Sequence, residues 1–114
     1  IELGGNDALR GLSLQQTREH LHAMVQASRK AGAKVLLLGM QMPPNYGADH
    51  AARFAALYRD VSQEFKVGLV PFFLSAIADK PDLAEWFQAD RIHPTVKSQL
   101  LMLDTVWPEL KKLL

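Results

Sequence analysis

The 114-residue chain predicts an α/β domain with a parallel sheet. Two short apolar runs, Lys34 to Met40 and Val67 to Pro71, have strand length and lack polar alternation, as strands covered on both faces do. Each follows a longer stretch in which apolar residues recur with the 3.6 period of a helix, so helix and strand alternate. A composition of 48% hydrophobic and 22% charged residues suits one globular domain with a real core.

Taken in order, Ile1-Glu2-Leu3 reads as a strand that ends in Gly4-Gly5-Asn6-Asp7, where two glycines allow a sharp turn. The chain enters this segment with no methionine, signal peptide or polar run-up, the pattern expected of a sequence that opens inside a domain. Ser13 and Gln16 form a capping box, and Leu14, Leu21, Met24, Val25 and Ser28 follow at helical spacing until Gly32 supplies a stop, which predicts a helix over 14–31. After the first strand, Met42-Pro43-Pro44-Asn45-Tyr46-Gly47 is a loop. Asp49 is the expected N-cap of a second helix, carried by Ala51, Phe54, Ala55, Tyr58, Val61 and Phe65. Beyond the second strand, 75–79 and 82–87 allow two short helical turns broken by Pro81. A last helix starts near Thr95, its stripe of Val96, Leu100, Leu103, Trp107, Leu110 and Leu114 core by default, with Pro108 expected to kink or restart it.

Several function classes lose support at this level. Thirteen basic against twelve acidic residues give a net charge of +1, too even to draw the chain to nucleic acid or an anionic membrane. With no cysteine there is no disulfide, thiolate metal site or cysteine nucleophile. No apolar run approaches the roughly 20 residues of a membrane span, so membrane insertion is not expected. His20 and His22 lie two apart on the polar side of a helix and His50 in a first turn; no pair has the i,i+4 spacing of a zinc site and no acidic cluster suggests calcium, so no metal is expected. A nucleotide-binding reading lacks a glycine-rich phosphate loop.

Sites in open α/β sheets lie beyond the carboxyl ends of the strands, here Gly4 to Asp7, Gln41 to Tyr46 and Phe72 to Ser75. Asn6 can offer a neutral N–H donor to a developing oxyanion, or cap its own Asn-Asp turn. Asp90 and His93 share one short loop because Pro94 discourages helix at His93. There a carboxylate can hold imidazole Nδ1–H and leave Nε2 as a base; alternatively the pair is an exposed acid and a histidine before a helix.

The order of Ile1-Glu2-Leu3-Gly4-Gly5-Asn6-Asp7 and the later Asp90-Arg91-Ile92-His93-Pro94 before a final helix resembles the third and fifth blocks of the SGNH, or GDSL-type, serine hydrolases. Leu9-Arg10-Gly11, Pro44-Asn45-Tyr46-Gly47 and Val70-Pro71-Phe72-Phe73 are similar to the branch holding bacterial thioesterases, arylesterases and lysophospholipases. The resemblance implies a three-layer α/β/α, flavodoxin-like sandwich of which residues 1–114 are the C-terminal portion, the N-terminal strands lying outside the chain. It implies a Ser-His-Asp hydrolase of small acyl esters or thioesters, periplasmic or secreted and needing no cofactor, with Asn6 in the oxyanion hole, Asp90 orienting and His93 the general base.

The family's Gly-Asp-Ser is absent here, and none of Ser13, Ser28, Ser62, Ser75 and Ser98 follows Gly-Asp, so the nucleophile is expected in an N-terminal segment needed to complete the site. The glycine of the family's second block is missing too. By the same resemblance, 8–13 is a mobile loop beside the site, Leu9, Met42 and Pro43 contact the acyl chain, and the edge of Ile1 to Leu3 and the helix faces that cover the outlying strands are open. The competing expectation is a catalytically inactive α/β binding module that keeps the histidine end of the site.

Overall fold

A computed structural model describes residues 1–114, the side chain of Pro44 excepted. Its elements are α1 (Gly5–Leu9), α2 (Leu14–Lys30), β1 (Leu36–Leu38), α3 (Ala48–Phe65), β2 (Gly68–Val70), α4 (Ser75–Ala78), α5 (Leu83–Trp86) and α6 (Gln99–Leu110). The β1–α3–β2 unit is a parallel crossover in which Leu36, Leu37 and Leu38 pair with Gly68, Leu69 and Val70. On the other side of β1, Ile1 N–H donates to the Leu36 carbonyl (2.8 Å) and the Ile1 carbonyl accepts from Leu38 N–H (2.9 Å). Those are the two bonds of one parallel rung. The strand expected at Ile1 to Leu3 thus contributes a single rung before Gly4, at φ 111°, turns the chain away.

Two apolar clusters flank the sheet. The first joins α2, α3 and β1 through Leu21, Val25, Leu37, Phe54, Tyr58 and Val61. In the second, Leu74, Ile77 and Phe87 meet Met102 of α6. Helices, sheet and helix form the three layers. At their centre Gly39 is obligatory: a Cβ there would sit 2.3 Å from the Pro71 carbonyl oxygen. The close approach lets Gly39 N–H donate to Val70 O and Phe73 N–H to Gly39 O, both at 2.8 Å.

Of the expected capping box the N-cap half is present, Ser13 Oγ accepting from Gln16 N–H at 3.4 Å. Elsewhere the chain departs from the expectation. Gly4 to Asp7 is no simple turn: Ala8 N–H donates to Gly4 O (3.1 Å) and Arg10 N–H to Asn6 O (3.0 Å), and buried Ala8 pins the resulting helix α1. Asp49 lies inside the first turn of α3, whose N-cap is Gly47 without a side-chain bond. The last helix opens as a 3₁₀ turn at Val96–Ser98, runs through Pro108 to Leu110 and tightens again over Lys111–Leu113.

The stripe of that helix faces outward. Val96 is 90% exposed and Leu100 73%, with Leu103, Trp107 and Leu114 exposed beside them. Ser98 Oγ donates to the Trp86 carbonyl (2.5 Å) and Met102 fills the second cluster, so these two residues set the inward side. No helix among the described residues is long and apolar enough to cross a membrane.

Candidate active site

The segment from Trp86 to Thr95 is a loop closed at its base. Thr95 N–H donates to Trp86 O (2.9 Å), Gln88 N–H to His93 O (2.8 Å), and Phe87 and Pro94 form an antiparallel bridge. At its tip Arg91 adopts φ 58°, left-handed and uncommon outside glycine. That turn lets one carboxylate take three donors. Asp90 Oδ1 accepts from Ile92 N–H (2.9 Å) and His93 N–H (3.0 Å), while Oδ2 lies 2.6 Å from His93 Nδ1.

The hydrogen bond from His93, with those from the two backbone N–H groups, lowers the Asp90 pKa to about 2. Asp90 is therefore ionised near neutral pH and can only accept, which assigns the proton of that bond to Nδ1 and leaves the lone pair on Nε2. The orientation of the ring is set by the loop rather than by burial, since both side chains are solvent-accessible.

Asn6 is held in α1, and it and His93 line one cavity of about 800 Å³. Leu9 lies on the same wall, and Leu21, Met24, Met40, Phe73 and Met102 make the cavity largely apolar. Met42 is instead buried in the first cluster and Pro43 is exposed; neither lines the cavity. Residues 8 and 9 of the expected loop 8–13 are helical, and 10–13 join α1 to α2.

Other chemistry-bearing residues reach the cavity that the sequence did not single out. Glu2 and Asp7 flank the Asn6 segment, and His20, read from its helix position as a surface residue, is exposed yet contributes to the wall. Burial pushes the Glu2 carboxyl up, against the pull of nearby positive charge that includes His93. Tyr58 and Thr17, both 1% exposed, hold the segment, Thr17 from the cavity lining: Tyr58 O–H donates to Leu3 O at 2.9 Å and Thr17 O–H to Asp7 Oδ2 at 3.2 Å. A hydroxyl on an otherwise apolar helical stripe was the available signal for both. Among the described residues no group of three or more histidine and acidic side chains could hold a metal ion.

A base with its lone pair directed outward and an amide donor on the same wall can together serve a carbonyl that gains negative charge. Residues 1–99 match the profile of the GDSL-like Lipase/Acylhydrolase family. The chain is 47% identical over 114 residues to the esterase TesA of Pseudomonas aeruginosa, covering all of this chain and 55% of that protein. It is 39% identical over 113 residues to thioesterase 1/protease 1/lysophospholipase L1 of Escherichia coli K12, covering 99% of this chain and 53% of the other. A crystal structure of TesA superposes with a TM-score of 0.91, and one of the psychrotrophic esterase EstA from a Pseudoalteromonas species with 0.87 at 35% identity. These matches cover 100% and 98% of this chain and 62% and 60% of those structures. The chain thus spans about half the length of the curated relatives it matches.

Proposed function

This chain belongs to the GDSL-like lipase/acylhydrolase family, and on that premise we propose that it carries the general base and one oxyanion donor of an ester or thioester hydrolase. One observation bears most of the weight: His93, its Nδ1 held by Asp90 at 2.6 Å, lines the same cavity as Asn6. The 114 residues contain five serines and no Gly-Asp-Ser, while the relatives are nearly twice as long, so the nucleophile belongs to the remainder of the domain.

In this reading the serine Oγ attacks the acyl carbon as His93 Nε2 accepts its proton, and the carbonyl π electrons move onto oxygen. Asn6 Nδ2–H donates to that oxyanion, and Asp90 stabilises the imidazolium without becoming protonated. Collapse of the intermediate expels the alcohol or thiol, which takes the proton back from Nε2. Water, deprotonated by the same nitrogen, then cleaves the acyl-enzyme. Leu9 and the methionine-rich wall suit an apolar acyl group, Met and Leu side chains adapting to varied chains; Met42 and Pro43 stand off this wall.

The test is hydrolysis of p-nitrophenyl esters and acyl thioesters by the complete protein and its His93→Ala variant. Loss of base and nucleophile activation together should lower kcat by about 10⁴-fold or more. Sustained, His93-dependent turnover by residues 1–114 alone would instead show that the nucleophile lies within them.

A further inference from the structure

We propose that Tyr58 and Thr17 are positioning residues that fix Asn6 in the cavity, acting on the two residues that bracket its turn. This rests on the reading of Asn6 as an oxyanion donor. Within the segment only the backbone bonds of α1 and the burial of Ala8 hold the turn, because Gly4 and Gly5 have no side chains and α1 has only 5 residues. An oxyanion donor nevertheless has to be aimed to within a few tenths of an ångström, since its effect depends on being preorganised.

The structure supplies the missing rigidity from two long helices. Tyr58 of α3 is anchored in the first cluster, its ring edge-on to Phe54 at 5.5 Å between centroids, and its hydroxyl donates to Leu3 O immediately before the turn. Thr17 of α2 donates to the Asp7 carboxylate immediately after Asn6, with the Ser13 carbonyl as a second acceptor at 3.3 Å. Between these two bonds the helices press on Gly4: a Cβ there would lie 2.8 Å from Tyr58 Oη and 3.2 Å from Thr17 Cγ2. The left-handed turn and the absent side chain thus let both hydroxyl-bearing residues close on the backbone. Burial, reinforced by the charges of Glu2 and Asp7, keeps Tyr58 protonated and so a donor. No buried side-chain nitrogen or oxygen among the described residues lacks a partner.

The experiment uses the complete enzyme, with active sites counted by a p-nitrophenyl phosphonate ester so that kcat refers to folded protein. Tyr58→Phe keeps the ring and removes the donor; Thr17→Val removes the donor and keeps the methyl against Gly4. Each should lower kcat about ten- to a hundredfold with KM little changed, as a small misplacement of a catalytic group does. In an Asn6→Ala background the same substitutions should cost less than about twofold, since they act through a side chain already removed. Thr17→Ser, which restores the hydroxyl, should return kcat close to the parent value.

A purely structural role would lower the thermal midpoint and the titratable fraction while leaving kcat per site intact, and that result overturns the proposal. Equal losses in both backgrounds overturn it as well. If Asn6→Ala costs its full factor while Tyr58→Phe costs nothing per site, only the positioning claim falls. If Asn6→Ala itself leaves kcat unchanged, the oxyanion reading fails and this proposal with it.

Discussion

Asp90→Asn separates charge from shape at the dyad, and its outcome follows from which oxygen faces which donor. Oδ1 takes two backbone N–H groups, from Ile92 and His93, and Oδ2 takes His93 Nδ1. An asparagine must turn its carbonyl toward the two backbone donors, because an NH₂ group there would oppose both. The NH₂ then occupies the place of Oδ2, 2.6 Å from His93 Nδ1, and as a donor it forces the lone pair onto Nδ1. The proton moves to Nε2, the nitrogen that has to accept one from the nucleophile. Locking a triad histidine in the wrong tautomer costs about 10⁴ in kcat, or about 5 kcal/mol at 1.36 kcal/mol per decade. The loop keeps both backbone bonds, so the variant should remain folded, less stable than the parent only by what the Asp90 charge contributes. Site-titrated hydrolysis of p-nitrophenyl butyrate by the complete protein measures the effect. A loss of less than about tenfold in a folded variant would refute the tautomer argument and with it the role of His93 as base.

Further outcomes are expected. Asn6→Ala should cost about a hundred- to a thousandfold in kcat, the usual weight of one oxyanion donor, measured with the same titrated assay. The Asp90 pKa is depressed from the ordinary carboxylate value of about 4 to about 2. Its contribution to stability is therefore complete above pH about 4 and drains away as pH falls toward about 2. Acid unfolding curves of the parent and Asp90→Asn should converge over that window. Gly39→Ala should destabilise by about 3 kcal/mol or more, since the new Cβ meets backbone with no freedom to move; a fall in urea midpoint at constant m measures it.

The sequence was most legible where the physics is local. Ser13 and Gln16 announce the start of α2 because a cap is decided within four residues, and the two apolar runs announce the strands because burial on both faces leaves no polar positions. Asp90 and His93 were readable as a pair for the same reason: three residues and a following proline fix their separation. What failed depended on neighbours. The Gly4 to Asp7 stretch looked like a turn because glycine disfavours helix, yet burial of Ala8 against the core outweighs that preference.

The period of α6 was read correctly, but a period says only that one face is apolar. The face that meets the core carries Leu101 and Met102, with Ser98 just before the helix, while Val96, Leu100, Leu103, Trp107 and Leu114 are exposed. Tyr58 was read as one position of an apolar stripe, and Thr17 was not singled out, because periodicity treats a hydroxyl on a buried stripe as a tolerated exception. Only coordinates reveal that each hydroxyl has a partner on the same short segment.

That outward face of α6 also has a thermal meaning. Covering Val96, Leu100, Leu103, Trp107 and Leu114 removes aliphatic and aromatic surface from water, a process driven near room temperature by entropy and accompanied by a negative change in heat capacity. Such an attachment weakens on cooling. Any apolar partner on this face would therefore be held more loosely in the cold than at moderate warmth.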